Sequence, residues 1–355
     1  MNNNQNKRKV LFFLQAGVGG AERITISYAK VLIKRGYDII FVVCGSQDEI
    51  LQLIPDNCKI LRIKFKDIRF WGIFRIMRYI IKEKPNCVFS SIMYINVRVI
   101  LAAKLLGVKV IVRNNNTIYE VSPRMRFMMK QLYCQCDLIV AQQQEMKDEI
   151  VKELHISSEK VKVIHNPIDK VFIDNMAKET SPYISGKDLI KYVWVGRFAK
   201  AKGQDLLVQA FDIVHKNMPK VELYFIGKYE ENNEIYTYVK KYIEEHNLQK
   251  CVHIVGFQYN PHKWVKNASC FVMPSRLEGL PNALVEAMYL GVPVVATLCI
   301  PIINRIVKNG YNGYVVDNEN IPALAYAMLE AIKLRNFMMT YEPSTKEDII
   351  NIFEL

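Results

Sequence analysis

Short apolar runs alternate with longer helix-like patterns through most of the chain, and this alternation constrains the fold more than any other feature. Turn residues bound each run, which is typical of buried strands. The predicted strands are 9–14, 38–44, 87–90, 108–112, 138–141, 161–164, 190–195, 221–226, 251–255, 269–273, 292–296 and 313–316. Because strands and helices alternate, we predict an α/β architecture with helices on both faces of parallel sheets.

The alternation is interrupted at Asn166-Pro167, and the segment that follows, to about Lys187, is polar and poorly patterned. We therefore place a linker there and predict two doubly wound, Rossmann-like domains that face a central cleft. The predicted domains are residues 1–170 and 171–340. Residues 341–355 are predicted to form a final helix, because Ser344-Thr345-Lys346-Glu347 is typical of a helix cap. In such sheets, ligands bind at the carboxyl ends of the strands.

Positive charge is concentrated in the first half of the chain. Residues 1–175 hold 28 Lys and Arg against 16 Asp and Glu, whereas residues 176–355 hold 20 against 19, so the net charges are +12 and +1. This asymmetry predicts one anionic partner held mainly by the first domain. Nucleic acid is not expected to be that partner, because no recognised binding motif accompanies the charge.

Neither a membrane span nor a disulfide framework is predicted. Charges interrupt every long apolar run, and the first run, 10–14, is too short for a signal-peptide core. The eight cysteines are scattered and form no Cys-x-x-Cys pair, so we expect reduced thiols in a cytoplasmic protein. The six histidines form no metal-binding or catalytic pattern, and we assign them no role.

The segment 269–288 combines a predicted strand, a sharp turn and a helix start. Glu278 is expected in the turn and Glu286 within the helix. Pro281 suits the first helical turn, and the backbone N–H groups from Gly279 to Asn282 are expected to point out of the helix start, where they attract anions. The segment therefore offers carboxylates for sugar or ribose hydroxyls and backbone donors for a diphosphate.

Several short motifs carry a resemblance to a known family. They are Gly17-Val18-Gly19-Gly20-Ala21-Glu22, Val195-Gly196-Arg197, Lys202-Gly203, Val255-Gly256-Phe257, the segment 278–286 and Asn312-Gly313-Tyr314. Together they resemble the motifs of the retaining glycosyltransferases of family 4, which have the two-domain GT-B fold. The resemblance is close from about 190 to 320 and looser through the N-terminal half. It also implies that the final helix packs back toward the first domain.

The resemblance implies roles for individual residues. Glu286 would bind the ribose hydroxyls, Glu278 would contact the transferred sugar, and the remaining catalytic residues, Arg197 and Lys202, would stabilise the leaving diphosphate. The implied donor-binding residues are Gly19, Gly20, Arg197, Lys202, Gly256, Glu278, Gly279, Leu280, Asn282 and Glu286. The implied acceptor-side residues are Gly17, Glu22, Arg113 and Asn115.

No metal or other cofactor is expected. Two side-chain cations and a helix start could neutralise the diphosphate, and the sequence contains no Asp-x-Asp motif.

Two routes to retention of configuration stay open. Glu278 could act as a nucleophile, or the leaving phosphate could assist the acceptor while Glu278 only positions the sugar.

Two segments depart from the family pattern. Many members carry a histidine after the strand that matches 108–112, whereas this chain has Arg113-Asn114-Asn115-Asn116, in which Arg113 could meet an acceptor phosphate. The family's glycine-rich, acidic stretch is replaced by residues 298–305.

The glycine loop 17–20 is not predicted to bind NAD. In the dinucleotide-binding motif a third glycine would stand where this chain has Glu22, and the strand 38–44 ends in Cys44-Gly45 without an acidic residue for a ribose.

Segment 71–84 reads as a basic amphipathic helix. Its basic residues Arg75, Arg78, Lys82 and Lys84 are interleaved with Trp71, Phe74 and Tyr79. Two interpretations stay open: an ordinary solvated helix surface, or a peripheral contact with an anionic inner leaflet that presents the protein to a lipid-linked acceptor.

The sequence therefore predicts a cytoplasmic transferase, at the inner face of the plasma membrane if the second interpretation holds. It would move a hexose or N-acetylhexosamine from a UDP- or GDP-sugar to a lipid-linked saccharide of a lipopolysaccharide, capsule or other surface polysaccharide. Two alternatives remain: a nucleotide-sugar epimerase of the same fold, and a catalytically silent nucleotide-sugar-binding protein, which would not need both glutamates and both cations.

Overall fold

The computed structural model describes residues 7–17, 19–46, 48–64, 72–115, 117–183 and 189–354. They form two compact units. The first contains the residues up to Pro167 together with those from Pro343 onward, and the second contains Ile168–Glu342. Each unit is built around one parallel sheet.

Thirteen strands lie in the described residues. They are β1 (Lys9–Gln15), β2 (Asp38–Cys44), β3 (Lys59–Ile63), β4 (Cys87–Ser90), β5 (Lys109–Arg113), β6 (Leu138–Ala141), β7 (Val161–Val163), β8 (Ile190–Val195), β9 (Val221–Ile226), β10 (Val252–Gly256), β11 (Cys270–Met273), β12 (Val294–Thr297) and β13 (Gly313–Val316).

Thirteen α-helices accompany these strands in the same described ranges. They are α1 (Gly20–Lys34), α2 (Gly72–Glu83), α3 (Met93–Leu105), α4 (Pro123–Leu132), α5 (Gln144–Leu154), α6 (Lys170–Ala177), α7 (Gln204–Asn217), α8 (Glu234–Glu245), α9 (His262–Lys266), α10 (Asn282–Tyr289), α11 (Ile302–Ile306), α12 (Ile321–Ala331) and α13 (Lys346–Glu354).

The first sheet has the order β3-β2-β1-β4-β5-β6-β7, with β1 and β4 adjacent at the point where the strand order reverses. Alternate residues of β1 face opposite sides of the sheet. Leu11 and Phe13 belong to a core covered by α2 to α5. Phe12 and Leu14 belong to a second core, covered by α1 and α13. Helices on both faces bury this parallel sheet.

The second sheet has the order β10-β9-β8-β11-β12-β13, and its strand order reverses between β8 and β11. One face packs against α7, α8 and α12, whereas the other packs against α9, α10 and α11. Open α/β sheets bind ligands where the strand order reverses, outside the carboxyl ends of the strands. In this chain those positions are the loops after β1 and β4 in the first unit and after β8 and β11 in the second.

The prediction of two doubly wound parallel sheets is confirmed. All twelve predicted strands are present with small shifts at their ends, but β3 (Lys59–Ile63) was not predicted. It lies at the edge of its sheet, and of its five residues only Ile63 is buried. A strand of this kind lacks the continuous apolar run that identifies a buried strand.

The final helix, α13, packs on the first sheet. The Phe353 ring stacks on Phe12 at 5.8 Å and lies 5.6 Å from the ring of Phe89. Its start is capped reciprocally, because Asp348 accepts a hydrogen bond from the backbone N–H of Thr345 at 2.8 Å and Thr345 Oγ1 accepts one from the N–H of Asp348 at 3.1 Å.

None of the helices in the described ranges is both long enough and apolar enough to cross a membrane.

Candidate functional site

The two glutamates singled out by the sequence lie on one loop–helix segment of the second unit. The segment begins where β11 ends at Met273, and α10 begins at Asn282 with Pro281 as its N-cap residue. Glu278 therefore lies in the loop and Glu286 in the helix, as predicted. The segment follows one of the two strands between which the order of the second sheet reverses.

Glu278 is held by an ion pair and a hydroxyl group. Lys202 Nζ lies 2.7 Å from each of its carboxylate oxygens, and Ser275 Oγ donates to Oε1 at 2.7 Å. The Glu278 side chain is only 10% exposed, so the ion pair is partly shielded from solvent. The structure thus joins the turn after β8 to the turn after β11 through a lysine and a glutamate that were both predicted as site residues.

Glu286 has a different environment. Its Oε2 atom lies 3.0 Å from Nε2 of His262, which is 2% exposed. Among the described residues, no hydrogen bond reaches the other oxygen, Oε1, and the Glu286 side chain is 29% exposed. One carboxylate oxygen is therefore fixed by the protein and the other is accessible. The assignment of no role to the histidines missed this contact, since spacing along the sequence does not bring residues 262 and 286 together.

Arg276 is the centre of a hydrogen-bond cluster that sequence reasoning also missed. Its guanidinium binds both oxygens of Asp205 at 2.8 Å and donates to Glu319 and to the carbonyl oxygen of Lys200. These hydrogen bonds, to Asp205 first and then to Glu319, raise the pKa of Arg276 above its usual range. Bidentate pairs of this kind fix geometry as well as charge. Arg276 therefore braces the loop that carries Glu278 against the turn that carries Lys202.

Gly203 allows these two turns to approach closely. It has a φ of +69°, and an added Cβ atom would lie 1.9 Å from the carbonyl oxygen of Pro274. A side chain at this position would meet backbone, and φ values of this sign favour glycine.

Arg197 follows β8 and is exposed. Its carbonyl oxygen accepts a hydrogen bond from Gln204 Nε2 at 2.9 Å. Within the described part of the chain, no hydrogen bond links its side chain to the pair Lys202–Glu278. The structure therefore places Lys202 against Glu278 and leaves Arg197 directed to solvent, so convergence of both cations on one anion stays a prediction.

The remaining predicted donor residues of this unit lie in the same loops. Gly256 ends β10 with a φ of +81°, and its carbonyl oxygen accepts a hydrogen bond from Gly227 at 2.9 Å. Leu280 is buried, and Gly279 and Asn282 are partly exposed. The backbone N–H of Asn282 donates to the carbonyl oxygen of Leu280 at 3.0 Å. The expectation that this N–H points freely out of the helix is therefore wrong.

Cys299 lies near Glu278, in the segment that departs from the family pattern. Burial raises the pKa of its thiol to about 12, with a further contribution from the Glu278 carboxylate. The thiol therefore stays protonated near neutral pH, and because the thiolate is the reactive form of cysteine, it is a poor nucleophile.

In the first unit, the glycine loop follows β1 and leads into α1. Gly19 is the N-cap residue of α1, Gly20 is its first residue, and Gly17 precedes them. A Cβ atom at Gly19 would lie 2.6 Å from Oε2 of Glu22, so the absence of a side chain gives the glutamate room over the helix start. Gly19 and Gly20 belong to the first unit, and their donor role stays a prediction.

Arg113 and Asn115 belong to a largely buried polar cluster at the carboxyl end of β5. Arg113 is 1% exposed and donates to the side-chain oxygens of Asn115 and Asn166. Asn115 in turn donates to the carbonyl oxygen of Ser91, which follows β4, and its own carbonyl oxygen accepts from Gln142 at 3.0 Å. Direct contact between Arg113 and an acceptor phosphate does not fit this burial. We reinterpret Arg113 as the residue that holds Asn115 in place.

In the described parts of the chain, no group of three or more His, Cys, Asp or Glu side chains is arranged to share a metal ion. Independence from metal ions stays a prediction.

Two family models match the chain in succession. The model described as Glycosyltransferase Family 4 matches residues 18–171. The model described as Glycosyl transferases group 1 matches residues 177–348. Between them they span both units, and the first contains the glycine loop whereas the second contains both glutamates.

Individual proteins agree with these matches. A Campylobacter jejuni N-acetylgalactosamine-N,N'-diacetylbacillosaminyl-diphospho-undecaprenol 4-alpha-N-acetylgalactosaminyltransferase is 24% identical, over 81% of this chain and 80% of that protein. A capsular polysaccharide biosynthesis glycosyltransferase of Staphylococcus aureus, CapH, is 25% identical, over 95% of this chain and 94% of that protein. The crystal structure of Anabaena HepE in complex with UDP-glucose superimposes with a TM-score of 0.77 at 18% identity, covering 91% of each chain. This last similarity concerns the fold.

Proposed function

Because this chain belongs to the GT-B glycosyltransferases of the family 4 type, we propose that it transfers a sugar, with retention of configuration, from a nucleoside diphosphate to a saccharide acceptor. The transferred group in this proposal is a hexose or an N-acetylhexosamine, carried by UDP or GDP. The observation that carries the proposal is the arrangement of Lys202, Glu278 and Glu286 in loops at the carboxyl ends of β8 and β11, where the sheet order reverses.

Each of these side chains suits one part of a nucleotide sugar. The accessible oxygen of Glu286 can accept hydrogen bonds from ribose hydroxyls, and the Lys202 ammonium can bind the diphosphate. Negative charge grows on the diphosphate as the sugar departs, and a fixed cation lowers the energy of that transition state. An ammonium has three N–H donors, so Lys202 would bind a phosphate oxygen while it stays paired with Glu278.

The contacts of Glu278 favour a positioning role over nucleophilic attack. Both of its oxygens lie 2.7 Å from Lys202, and Oε1 also accepts from Ser275. A carboxylate held by an ammonium and a hydroxyl group is a weaker nucleophile than a free one. We therefore propose that the leaving phosphate assists the acceptor on the same face of the sugar, while Glu278 orients the sugar.

We propose a lipid-linked saccharide as the acceptor and surface polysaccharide biosynthesis as the process. The name of the Campylobacter relative specifies a diphospho-undecaprenol-linked acceptor, and that of CapH specifies capsular polysaccharide. The positive charge of residues 1–175 suits an acceptor that carries a diphosphate.

We further propose that the first unit contacts an anionic membrane surface from the cytoplasmic side. The predicted helix is present as α2 (Gly72–Glu83), although Trp71 lies outside the described residues. Phe74 and Ile81 are 62% and 58% exposed. Arg75, Arg78, Lys82 and Lys84 are exposed as well. Exposed apolar and basic side chains on one helix are the combination that binds anionic interfaces.

Two further features strengthen this part of the proposal. The only acidic residue of α2, Glu83, is buried and bonded to Lys59 at 2.7 Å, so it does not offset the positive surface. On α4, Phe127 is 65% exposed, and the neighbouring side chains of Arg124 and Lys130 are exposed too. Helices α2 and α4 cover the same face of the first sheet. A membrane contact could therefore involve more of this face than α2 alone.

The function is tested by nucleotide release from UDP-, GDP- and ADP-sugars, with and without membrane lipid extract. We expect one nucleotide to be released in the presence of extract only. Glu278→Ala should lower the rate of this release at least about 100-fold. Extract-independent interconversion of the sugar would indicate an epimerase. Binding without turnover in all extracts would indicate a silent binding protein and contradict the transferase.

The membrane contact is tested by sedimentation with phosphatidylglycerol-containing vesicles. We expect replacement of Arg75, Arg78, Lys82 and Lys84 by Gln to reduce binding by about 10²–10³-fold, because each basic residue near an anionic surface contributes about 1 kcal/mol. The matched control replaces the exposed Lys220, Lys240, Lys241 and Lys250 of the second unit by Gln, which removes the same charge. Equal losses for both variants would show only a net-charge effect and contradict a docking face.

A further inference from the structure

We propose that His262 is a positioning residue for nucleotide recognition, which holds the Glu286 carboxylate so that its free oxygen meets the ribose hydroxyls of the donor. The inference rests on the proposed function, because it assumes that Glu286 binds ribose. In this inference, the pair His262–Glu286 of the second unit recognises the ribose, and not Glu286 alone.

The histidine ring is fixed from several sides. It lies at the first position of α9 and is almost completely buried. The rings of His262 and Phe172 pack edge to face, with their centroids 5.7 Å apart and an interplanar angle of 89°. The backbone N–H of His262 donates to Asn260 Oδ1 at 3.1 Å, and Asn260 Nδ2 donates to the carbonyl oxygen of Met176 at 2.8 Å. Helix α6 thus supports both the ring and its loop.

The direction of the hydrogen bond follows from the chemistry of the two groups. An ionised carboxylate can only accept, so Nε2 of His262 carries the proton that lies between the ring and Glu286 Oε2. The other ring nitrogen, Nδ1, is buried and has no hydrogen-bond partner among the residues described. The ring therefore has one polar contact to a described residue, and that contact is with Glu286. A buried polar side chain is normally hydrogen-bonded, so this single contact matters to both residues.

The consequence for binding is preorganisation. Glu286 is partly exposed and, without the histidine, its side chain would move among several rotamers with both oxygens in water. With Oε2 held at 3.0 Å from His262, Oε1 has a defined position and direction. Ordering a flexible side chain before the ligand arrives lowers the entropy that binding must remove. The contribution of the ribose hydroxyls to affinity should therefore depend on His262.

A second histidine–glutamate pair in the same unit provides a matched control. His253 Nε2 lies 3.5 Å from Glu222 Oε1 without a hydrogen bond between them, and the two residues stand on the neighbouring strands β10 and β9. Replacing His253 removes the same functional group from the same unit but leaves Glu286 untouched.

The experiment measures binding of UDP, GDP and ADP by calorimetry, followed by the 2′,3′-dideoxy form of the nucleotide that binds. We expect His262→Ala to weaken binding of the ribonucleotide about tenfold and to leave the affinity for the dideoxy form unchanged. His262→Gln retains a donor and should recover part of the loss. Glu286→Ala should likewise weaken binding of the ribonucleotide but not of the dideoxy form. The double variant His262→Ala/Glu286→Ala should bind the ribonucleotide no more weakly than Glu286→Ala alone. His253→Ala should match the wild type. In turnover, His262→Ala should raise KM for the donor with little change in kcat.

The outcomes separate this inference from the proposed function. If His262→Ala lost the same affinity for the ribonucleotide and for its dideoxy form, or lost none, the role of His262 would be overturned. The proposed function would still stand if Glu286→Ala removed the contribution of the ribose hydroxyls to affinity. A wild type that binds none of the three nucleotides, or binds both forms equally, would overturn both. Thermal unfolding of each variant shows whether a loss of affinity reflects a loss of folded protein.

Discussion

Replacing Lys202 by alanine is expected to lower kcat for sugar transfer by about 10²–10³-fold, with a much smaller change in donor KM. The reason is electrostatic. The Lys202 ammonium is held at 2.7 Å from the Glu278 carboxylate in a partly buried site, so it is already oriented at the place where the diphosphate would acquire charge. A fixed cation stabilises that charge more in the transition state than in the bound substrate, and its loss therefore appears mainly in kcat.

Two further variants make the Lys202 experiment specific. Lys200→Ala removes an exposed lysine two positions away and should leave kcat unchanged. Lys202→Ala leaves Glu278 partly buried beside Ser275 without its ion-pair partner, which is expected to lower stability as well. Lys202→Ala/Glu278→Ala removes that unpaired charge, so we expect it to regain stability but not activity. A Lys202→Ala enzyme with wild-type kcat would contradict the proposed role.

The fold was predictable from the sequence because most strands are buried on both faces. Strands β2 (Asp38–Cys44) and β9 (Val221–Ile226) have six buried residues each. Those of β2 form a continuous apolar run, and only Glu222 interrupts the apolar residues of β9. β3 lies at a sheet edge, and Lys59 and Arg62 interrupt its apolar residues, so its sequence gives no comparable signal. Burial made the apolar pattern visible, and the strand that was missed has only one buried residue among its five.

The candidate site was predictable only in part, for a related reason. Glu278, Glu286 and Lys202 were identified because their motifs are local in sequence. His262, which contacts Glu286, and Arg276, which braces the loops of Glu278 and Lys202, were not identified, because each acts through side-chain contacts between segments that are distant in sequence. The Arg276 guanidinium, for instance, joins residues 71 and 43 positions away. Contacts of this kind depend on loop geometry, which neither spacing nor composition specifies.

Arg113 illustrates the opposite error. A basic residue at the carboxyl end of β5 suggested a surface contact with an acceptor phosphate. The structure buries its guanidinium among Asn115, Asn166 and the ring of Tyr28, whose centroid lies 5.9 Å away. Arginine can be buried where several acceptors and an aromatic face satisfy it. Residue type at a strand end thus indicated a polar cluster but not which of its members face the solvent.

Replacing Gly203 by alanine is expected to lower the stability of the second unit by about 2–4 kcal/mol and to reduce kcat as well. Two costs combine. A left-handed conformation costs a non-glycine residue about 1–2 kcal/mol, and the new Cβ atom would lie 1.9 Å from the carbonyl oxygen of Pro274, so backbone must move. That movement displaces the loop that carries Glu278 from the turn that carries Lys202, which is why activity should fall together with stability.

Gly310 separates these two costs. It has a φ of +74°, close to that of Gly203, but apart from Gly310 and its two chain neighbours, no atom of the described residues lies within 4 Å of the position that its Cβ would take. Gly310→Ala should therefore lose only the conformational part, about 1–2 kcal/mol, and retain wild-type kcat. Urea denaturation in a Trp71→Phe background reports on the second unit, because the remaining tryptophans, Trp194 and Trp264, both lie there. If both alanine variants lost the same stability and the same activity, the close approach of Gly203 to Pro274 would not be what holds Lys202 and Glu278 together.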